Sequence, residues 1–448
     1  MGNVCGCASP QTKPAQQQQE RQYTTPVGQS LQGKDVQNQS KKIGLAGTHQ
    51  AVKLLGRGAA ADIWLFRDLK HGNQVAVKLF ERPLPQAAVQ AVLREIKIQT
   101  EIGEGHANLV NVYQLILTPT HLALCMEWAS GGSLTSYVAD KWQSADPSGL
   151  VMAEDEARYF FKQFISAISY CHQHHIAHRD MKLDNTLFDG QKPPFIKICD
   201  FGFARAWQDP ALYRMSSRVG TPEYMSPELL HNGQDGTDQA YDPRSTDVWA
   251  AGVMLVVALC GAFPFDHTQH QHRSMEEAEL DLWMQEVNQQ WFQSEFIKAN
   301  VNKLSSECRS LLDRIFVADV KQRITVEGIM QHPWYLHPLP SHYQSQLQHL
   351  DQVQAQKDAH IQSRRIDPTL VEKRNQAIAA MVQEATQASA HGGHHQKGQL
   401  RPLHLMDFKD ENLQEIDLTE AAVLAAEGSQ HFQAGLATLG GSGSGAQN

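Results

Sequence analysis

Cysteine is scarce in this chain, with seven residues in 448. Scattered at that density, the cysteines exclude a disulfide-built scaffold and suit a reducing compartment. Basic charge is also short. Lys and Arg total 39 against 48 Asp and Glu, a net of −9. The chain therefore lacks the basic footprint of a general nucleic-acid binder, and no nucleic-acid partner is expected. Long apolar runs are rare as well. Mean hydropathy is −0.42, which excludes a polytopic membrane protein, and no cleavable signal peptide is expected. One uncharged stretch, 248–265, just reaches the length of a membrane span. It contains Gly252, Gly261 and Pro264 and lies between Asp247 and Asp266, so a buried core helix is the better expectation. No EF-hand loop is present, and direct calcium sensing is not expected.

What is present is unevenly distributed. Length alone allows two to three domains, or one large domain with tails. Residues 1–48 hold the run Gln16, Gln17, Gln18 and Gln19 and few large apolar side chains, and are expected to be disordered because they bury too little to offset ordering entropy. Residues 49–335 carry nearly all the aromatic and branched apolar content. Within them, 52–80 reads as short strands with Gly-rich punctuation, 86–101 as a helix and 122–126 as a further strand. From 154 the pattern turns helical, with Phe160, Phe164, Ile168 and Cys171 on one face. The expectation is an α+β fold, β-rich first and α-rich second. Residues 336–448 return to Gln/His-rich and Gly/Ser-rich low complexity. Two islands interrupt them: 367–386, and an acidic patch near 407–427 within a stretch, 401–427, that carries seven acids and two bases.

Six motifs carry chemistry. Gly56-Arg57-Gly58-Ala59-Ala60-Ala61 could bring backbone N–H groups close to phosphate oxygens, or be an ordinary hairpin. Ala61 stands where a third Gly would be usual. Val75-Ala76-Val77-Lys78 places a Lys among apolar strand residues, where it needs an anionic partner or must snorkel from a strand edge. Glu95, on the following helix, is a candidate partner. His178-Arg179-Asp180-Met181-Lys182-Leu183-Asp184-Asn185 packs three useful groups into one loop. Asp180 can accept a hydroxyl proton, Lys182 can neutralise a moving phosphoryl group, and the Asn185 amide oxygen suits a hard cation. Ile198-Cys199-Asp200-Phe201-Gly202 adds a second metal-binding carboxylate. Gly220-Thr221-Pro222-Glu223-Tyr224-Met225-Ser226-Pro227-Glu228 and Asp247-Val248-Trp249 follow, and a late Arg323 is a candidate partner for Glu228. Their order matches the protein-kinase signature set.

The resemblance is closer than that superfamily. Ile116-Leu117-Thr118-Pro119-Thr120-His121-Leu122, Glu154-Asp155-Glu156-Ala157-Arg158-Tyr159-Phe160-Phe161, Lys197-Ile198-Cys199-Asp200-Phe201-Gly202 and Arg314-Ile315-Phe316-Val317-Ala318-Asp319 resemble the sucrose-nonfermenting-1-related kinases of subfamily two, the osmotic-stress kinases of green plants. The resemblance covers about 49–335 and implies a bilobal Ser/Thr kinase using ATP and Mg²⁺. It implies that Gly56, Arg57, Gly58, Ala59, Ile63 and Ala76 surround the nucleotide, and that Lys78 contacts its phosphates and pairs with Glu95. Met126 would be the gatekeeper, with Glu127 to Ala129 as the hinge. Asp180 would be the catalytic base, Lys182 its phosphate partner, and Asn185 and Asp200 the Mg²⁺ ligands. Arg179 beside Asp180 suggests control by activation-loop phosphorylation, with Ser217 the first site by alignment and Ser216 the next. Gln99 departs from the apolar residue often found four positions after the helix Glu.

The ends add expectations of their own. Ile378, Met381, Val382 and Ala385 form one apolar helix face, and Asp367-Pro368-Thr369 is a good helix start. This island is similar to the family's regulatory helix, which packs on the N-lobe helix and holds Glu95 in place; an isolated solvated helix is the alternative. The family's acidic tail binds phosphatases, although the acids at 407–427 are interspersed here with apolar residues. Met1-Gly2-Asn3-Val4-Cys5-Gly6-Cys7 resembles the acylation signal of plant calcium-dependent kinases. It implies myristoylation at Gly2 and palmitoylation at Cys5 and Cys7, although Gly6 replaces the usual Ser or Thr. The expected partners are protein substrates, an upstream kinase, a phosphatase and a membrane surface. The expected location is the cytoplasm, by lipid anchor at a membrane, with the nucleus left open. A nucleotide-binding pseudokinase or a membrane-anchored scaffold are the alternatives; intact Lys78, Asp180, Asn185 and Asp200 argue against the first.

Overall fold

The computed structural model describes residues 30, 32–58, 60–144, 149–207, 219–231, 241–266, 274–288, 290–293, 295–363, 368–387 and 400–405. The N-terminal part is a six-stranded antiparallel sheet. It is built from β1 (His49–Arg57), β2 (Asp62–Asp68), β3 (Gln74–Glu81), β4 (Val112–Leu117), β5 (His121–Glu127) and a late strand named below, with α2 (Val89–Ile102) packed against it. Alternation along β3 sends Val75, Val77 and Leu79 into an apolar layer with Trp64 and Phe66. Ala76 and Lys78 therefore face the other way, since successive strand residues point to opposite faces.

The sheet is capped by an element that composition concealed. The segment expected to be disordered contains α1 (Lys34–Ile43) ahead of the sheet. Its Ile43, with Leu45 just beyond, joins the same apolar layer as Trp64 and Phe66, and Ser40 Oγ accepts from the Ala51 N–H at 2.8 Å. The helix is polar on average, but its three buried side chains, Val36, Ser40 and Ile43, lie on one face. One face is enough to dock it once a sheet is there to receive it.

The second part is helical, as expected. It holds α3 (Leu134–Ser144), α4 (Glu154–Gln173), α5 (Pro227–His231), α6 (Pro243–Cys260), α7 (Met275–Asn288), α8 (Glu295–Val301), α9 (Ser306–Ile315), α10 (Val326–Met330) and α11 (Pro333–Leu336). Short ladders accompany them: β6 (Ile176–Ala177) with β9 (Arg205–Ala206), and β7 (Thr186–Phe188) with β8 (Ile196–Ile198). The uncharged stretch 248–265 forms most of α6. It has the length and composition to cross a membrane, yet Thr246 to Cys260 is buried throughout inside the helical lobe. Asp242 caps its first turn through the Arg244 N–H at 2.9 Å, and Gly261 ends it with φ +70°. Gly252 is small for a packing reason, because a Cβ there would run into Ile315 of α9.

The C-terminal tail is more ordered than its low complexity suggested. It adds α12 (Ser341–Ser363), α13 (Pro368–Glu384) and β10 (Arg401–His404). Leu347 and Leu350 of α12 pack on the helical lobe, while Gln354 Nε2 donates to the Gly105 carbonyl and Lys357 Nζ to the Glu104 carbonyl, each at 2.8 Å. β10 extends the sheet by pairing Arg401 with Leu117 and Leu403 with Leu115. The acidic patch at 407–427 lies outside the described residues.

Candidate active site

Both lobes face a cavity of about 380 Å³ lined by Leu55, Gly56, Ile63, Ala76, Lys78, Glu95, Gln99, Val110, Met126, Glu127, Trp128, Ala129, Gly132, Ser133, Asp184, Asn185, Leu187, Cys199 and Asp200. Nine of the residues expected to contact nucleotide or metal are among them, Gly56, Ile63, Ala76, Lys78, Met126, Glu127, Ala129, Asn185 and Asp200, together with Glu95, the expected partner of Lys78. Arg57 and Gly58 lie at the exposed end of β1 and do not line it. Gly58 turns the chain back, with its N–H donating to the Ala61 carbonyl at 2.9 Å, and a Cβ on Gly58 would stand 2.9 Å from that same oxygen. Ala59 lies outside the described residues.

Lys78 is not a snorkelling edge lysine. β3 lies between β2 and β5, and Lys78 Nζ pairs with Glu95 of α2 and with Asp200 Oδ1 at 3.1 Å. Burial alone would lower the Lys78 ammonium, but the two carboxylates more than reverse that and hold it above its ordinary range. Burial would raise Asp200, yet Lys78 beside it keeps that carboxyl below its ordinary range. This ion triad needs α2 turned inward and Asp200 turned into the cavity, and both are found. Asp200 has φ +62° and Arg179 has φ +69°. Non-glycine residues rarely occupy that region, and such backbone strain gathers at functional sites. Phe201 is fully buried and meets the His178 ring edge-on at 4.7 Å, which anchors the turn that aims Asp200.

Asp180 sits at the centre of a second cluster. Thr221 Oγ1 donates to Asp180 Oδ1 at 3.0 Å, Lys182 Nζ lies 2.9 Å from both Asp180 Oδ2 and Thr221 Oγ1, and Asn185 Nδ2 donates to Asp180 Oδ2 at 3.0 Å. The loop itself hangs from Asp247 of α6. That buried carboxylate accepts from the His178 N–H at 3.1 Å, the Arg179 N–H at 2.9 Å and His172 Nε2 at 2.9 Å. The expected Arg323 and Glu228 pair is also formed, in a bidentate bond of 2.7 and 2.8 Å. The Arg323 guanidinium lies 4.9 Å over the Trp249 ring.

Sequence reading missed two groups of residues. The first is the cavity wall formed by Leu55, Val110, Leu187 and Cys199, whose apolar character is no different from core. The second is a pair of arginines, Arg94 and Arg205, that join the Arg179 already expected to act in activation-loop control. Arg94 of α2 and Arg205 of β9 lie close to Arg179: burial first, then Arg179, lowers Arg94, and burial first, then Arg94 and Arg179, lower Arg205 to about 10. They come from three separate segments, and no spacing rule links them. Ser216 and Ser217, on the segment between β9 and the Gly220 motif, lie outside the described residues, as do Gly2, Cys5 and Cys7.

A two-lobed fold with a lysine–glutamate–aspartate triad in its cleft and an Asp–Lys–Asn loop beneath it defines a protein kinase. Residues 49–335 match the protein kinase domain family. Over 374 residues the chain is 34% identical to serine/threonine-protein kinase SAPK2 of Oryza sativa, covering 83% of this chain and 97% of that protein. It is 38% identical over 294 residues to serine/threonine-protein kinase SRK2E of Arabidopsis thaliana, covering 65% and 73% respectively. It is likewise 38% identical over 294 residues to serine/threonine-protein kinase SRK2A of Physcomitrium patens, covering 65% and 75%. The chain belongs to the protein kinase family and, with these relatives, to its serine/threonine class.

Proposed function

We propose that this kinase moves the γ-phosphoryl group of ATP to Ser and Thr hydroxyls of protein substrates in osmotic-stress signalling, with Asp180 as catalytic base. The observation that carries the residue roles is the convergence of Asp180, Lys182, Asn185 and Asp200 beneath the Lys78–Glu95 pair. In such chemistry the protein mainly positions groups and stabilises charge. Asp180 accepts the hydroxyl proton, and Lys182, bonded to both Asp180 and Thr221, holds a positive charge where phosphoryl oxygens would pass. Lys78 steadies the phosphates from the opposite side, and Glu95 fixes Lys78. The hinge from Glu127 to Ala129 presents backbone groups to the base.

The donor set fits Mg²⁺. Asn185 spends its Nδ2 on Asp180, which leaves its amide oxygen for a cation, and Asp200 directs a carboxylate into the cavity. One or two hard oxygen ligands plus substrate phosphates is the usual way proteins bind this ion. When bound, Mg²⁺ would neutralise phosphate charge. The test is transfer of radioactive phosphate by the purified full chain. Asp200→Ala, assayed at saturating Mg²⁺, is expected to lose transfer while keeping its melting temperature. Undiminished transfer would reject these roles, and absence of transfer in the wild type, even after treatment with an upstream kinase, would favour the pseudokinase reading.

Regulation rests on three supports. The convergence of Arg94, Arg179 and Arg205 supports a phosphate-ordered activation loop, with Ser217 and then Ser216 as the modified residues. The packing of α13 on α2, where Ile378, Met381 and Val382 share a buried cluster with Val89, Val92 and Ile96, supports its assignment as the regulatory helix that holds Glu95. The Gly2, Cys5 and Cys7 pattern supports double acylation, which is what stable anchoring requires, because one myristoyl chain binds weakly. A Gly2→Ala protein is expected to leave the membrane fraction; retention there would reject the anchor. A phosphatase partner for 407–427 is part of the same reading.

A further inference from the structure

The hinge residue Glu127 is tied down from two sides. Its Oε1 lies 2.6 Å from Lys197 Nζ of β8. Its Oε2 accepts from the Asn111 N–H at 3.2 Å, and its own N–H donates to the Asn111 carbonyl at 2.9 Å. Asn111 stands just before β4, at the end of the loop that leaves α2. Glu127 lines the nucleotide cavity, so its placement depends on where that loop holds Asn111.

The loop is gripped from outside by α12. Gln354 uses both ends of one amide: Oε1 accepts from the Ala107 N–H and Nε2 donates to the Gly105 carbonyl, each at 2.8 Å. Lys357 follows three residues later. Its Nζ donates to the Glu104 carbonyl at 2.8 Å and to Asn111 Oδ1 at 3.4 Å. Residues three apart share a helix face, so the two side chains act as one clamp. The Lys357 position is a costly one for a cation. Burial first, then Lys197, lower this ammonium, and Glu127 and Glu104 offset only part of that. Lys197 already pairs with Glu127, so neutralising the hinge carboxylate does not require a second lysine. What the second lysine adds is a bond to Asn111, the residue that holds the hinge.

We propose that Lys357 is a positioning residue for the nucleotide: through Asn111 it fixes Glu127, and with it the hinge backbone from Glu127 to Ala129 that meets the base. The tail then has two separate tasks. α13 backs Glu95 and the phosphate end of the cleft, while α12 holds the base end. This rests on the nucleotide reading of the cavity. A site held in shape before binding spends less on ordering when the ligand arrives. Loosening the hinge therefore weakens nucleotide binding in ground and transition states alike, which raises KM and leaves kcat in place.

The test uses full-length protein. Dissociation constants for Mg-ADP are measured by calorimetry, and kcat and KM for ATP by phosphate transfer after treatment with an upstream kinase. Lys357→Met keeps an aliphatic stem and removes the charge. It is expected to weaken Mg-ADP binding and raise KM about 3- to 10-fold, the worth of one hydrogen bond, with kcat within about 2-fold of the wild type. Lys357→Arg can still donate to both oxygens and is expected to recover most of the loss. Unchanged affinity and KM in folded Lys357→Met would overturn the proposal and leave the nucleotide reading standing. A fall in kcat at constant KM would do the same, because it would place Lys357 with the groups that act at the phosphate end. Equal losses in the Arg and Met variants would trace the effect to packing and overturn the role of the cation. Absence of Mg-ADP binding in the wild type would instead overturn the nucleotide reading and this proposal with it. Should the variants fail to fold, the wild type decides. Coupling between two sites is reciprocal, so Mg-ADP is expected to slow amide exchange in α12 around 354–358 as well as at the hinge. Exchange in α12 that ignores bound Mg-ADP would overturn the proposal.

Discussion

Asp180 is held by Thr221, Lys182 and Asn185, so changing its charge need not disturb the loop's shape. Asp180→Asn is expected to lower phosphoryl transfer at least about 100-fold, within the range of a lost general base, with the melting temperature nearly unchanged. Kinetics and thermal unfolding on one preparation would check both halves. His106 makes a different prediction. Burial first, then Lys357 and Lys197, lower it to about 4 against an ordinary 6.5. It accepts from the Asn108 N–H at 3.1 Å and meets Ser166 Oγ at 3.1 Å. A base whose folded value is depressed costs nothing above the unfolded value and destabilises as pH falls below it. His106 should therefore cost up to about 3 kcal/mol between pH 6.5 and 4. A His106→Gln protein should show a shallower acid loss of stability in urea titrations, and an identical slope would reject this origin.

Two elements depend on partners far away in the chain. The bidentate Arg323–Glu228 pair ties the end of the Gly220 motif to the segment before α10, and the Arg323 side chain is fully buried. Removing one partner leaves the other charge stranded, so Arg323→Ala should cost about 3–5 kcal/mol in denaturant unfolding. Replacement of the pair by Met and Leu should cost much less. The second element is α13. Its Ala377, Ile378, Met381 and Val382, with Ala385 just beyond, are fully buried and share a core with Val89, Val92 and Ile96 on α2. The backbone joins in, with the Leu84 N–H donating to the Ala385 carbonyl at 2.8 Å and Arg82 Nη2 to the Glu384 carbonyl at 2.9 Å. Met381→Ala should cost about 2–5 kcal/mol by leaving a cavity. It should also speed amide exchange in α2 and reduce transfer. Unchanged exchange in α2 would separate α13 from the positioning of Glu95.

At the level of the whole molecule, the tail is a strap across both lobes. α12 packs on the helical lobe and hydrogen-bonds the loop after α2, α13 backs α2, and β10 closes the free edge of β4. Arg401 reaches back to Glu384, linking β10 to α13. Truncation after residue 340 removes all three at once. It is expected to lower the melting temperature and reduce transfer more than 10-fold, since Leu403, Leu405 and the α13 face leave the N-lobe core together. An active, equally stable truncated protein would show that the strap is incidental. The legibility of these tail elements differed for physical reasons. α13 announced itself because Ile378, Met381, Val382 and Ala385 repeat at helical spacing and need one flat partner. β10 did not, because a four-residue strand containing Pro402 has almost no local preference, and Pro is tolerated in a sheet only where its missing N–H is not needed. α1 and α12 were hidden by polar, Gln-rich composition, and each is held by a few apolar side chains.

Local chemistry was written in the order of the chain. The Gly56 turn, Lys78, Glu95, the Asp180 loop, Asp200 and the Gly220 motif stand in one sequence, and that alone determined the fold class, the reaction and most of the residues in the cleft. These are short, rigid requirements of phosphoryl transfer, so they survive as motifs. Tertiary structure decided what depends on closure between distant segments. It brought Arg94, Arg179 and Arg205 together, hung the catalytic loop on Asp247, and docked α1 and β10 onto the sheet. It also set Lys357 of α12 against Asn111. Side-chain burial is set by what packs from the other side, and no spacing along the chain encodes that.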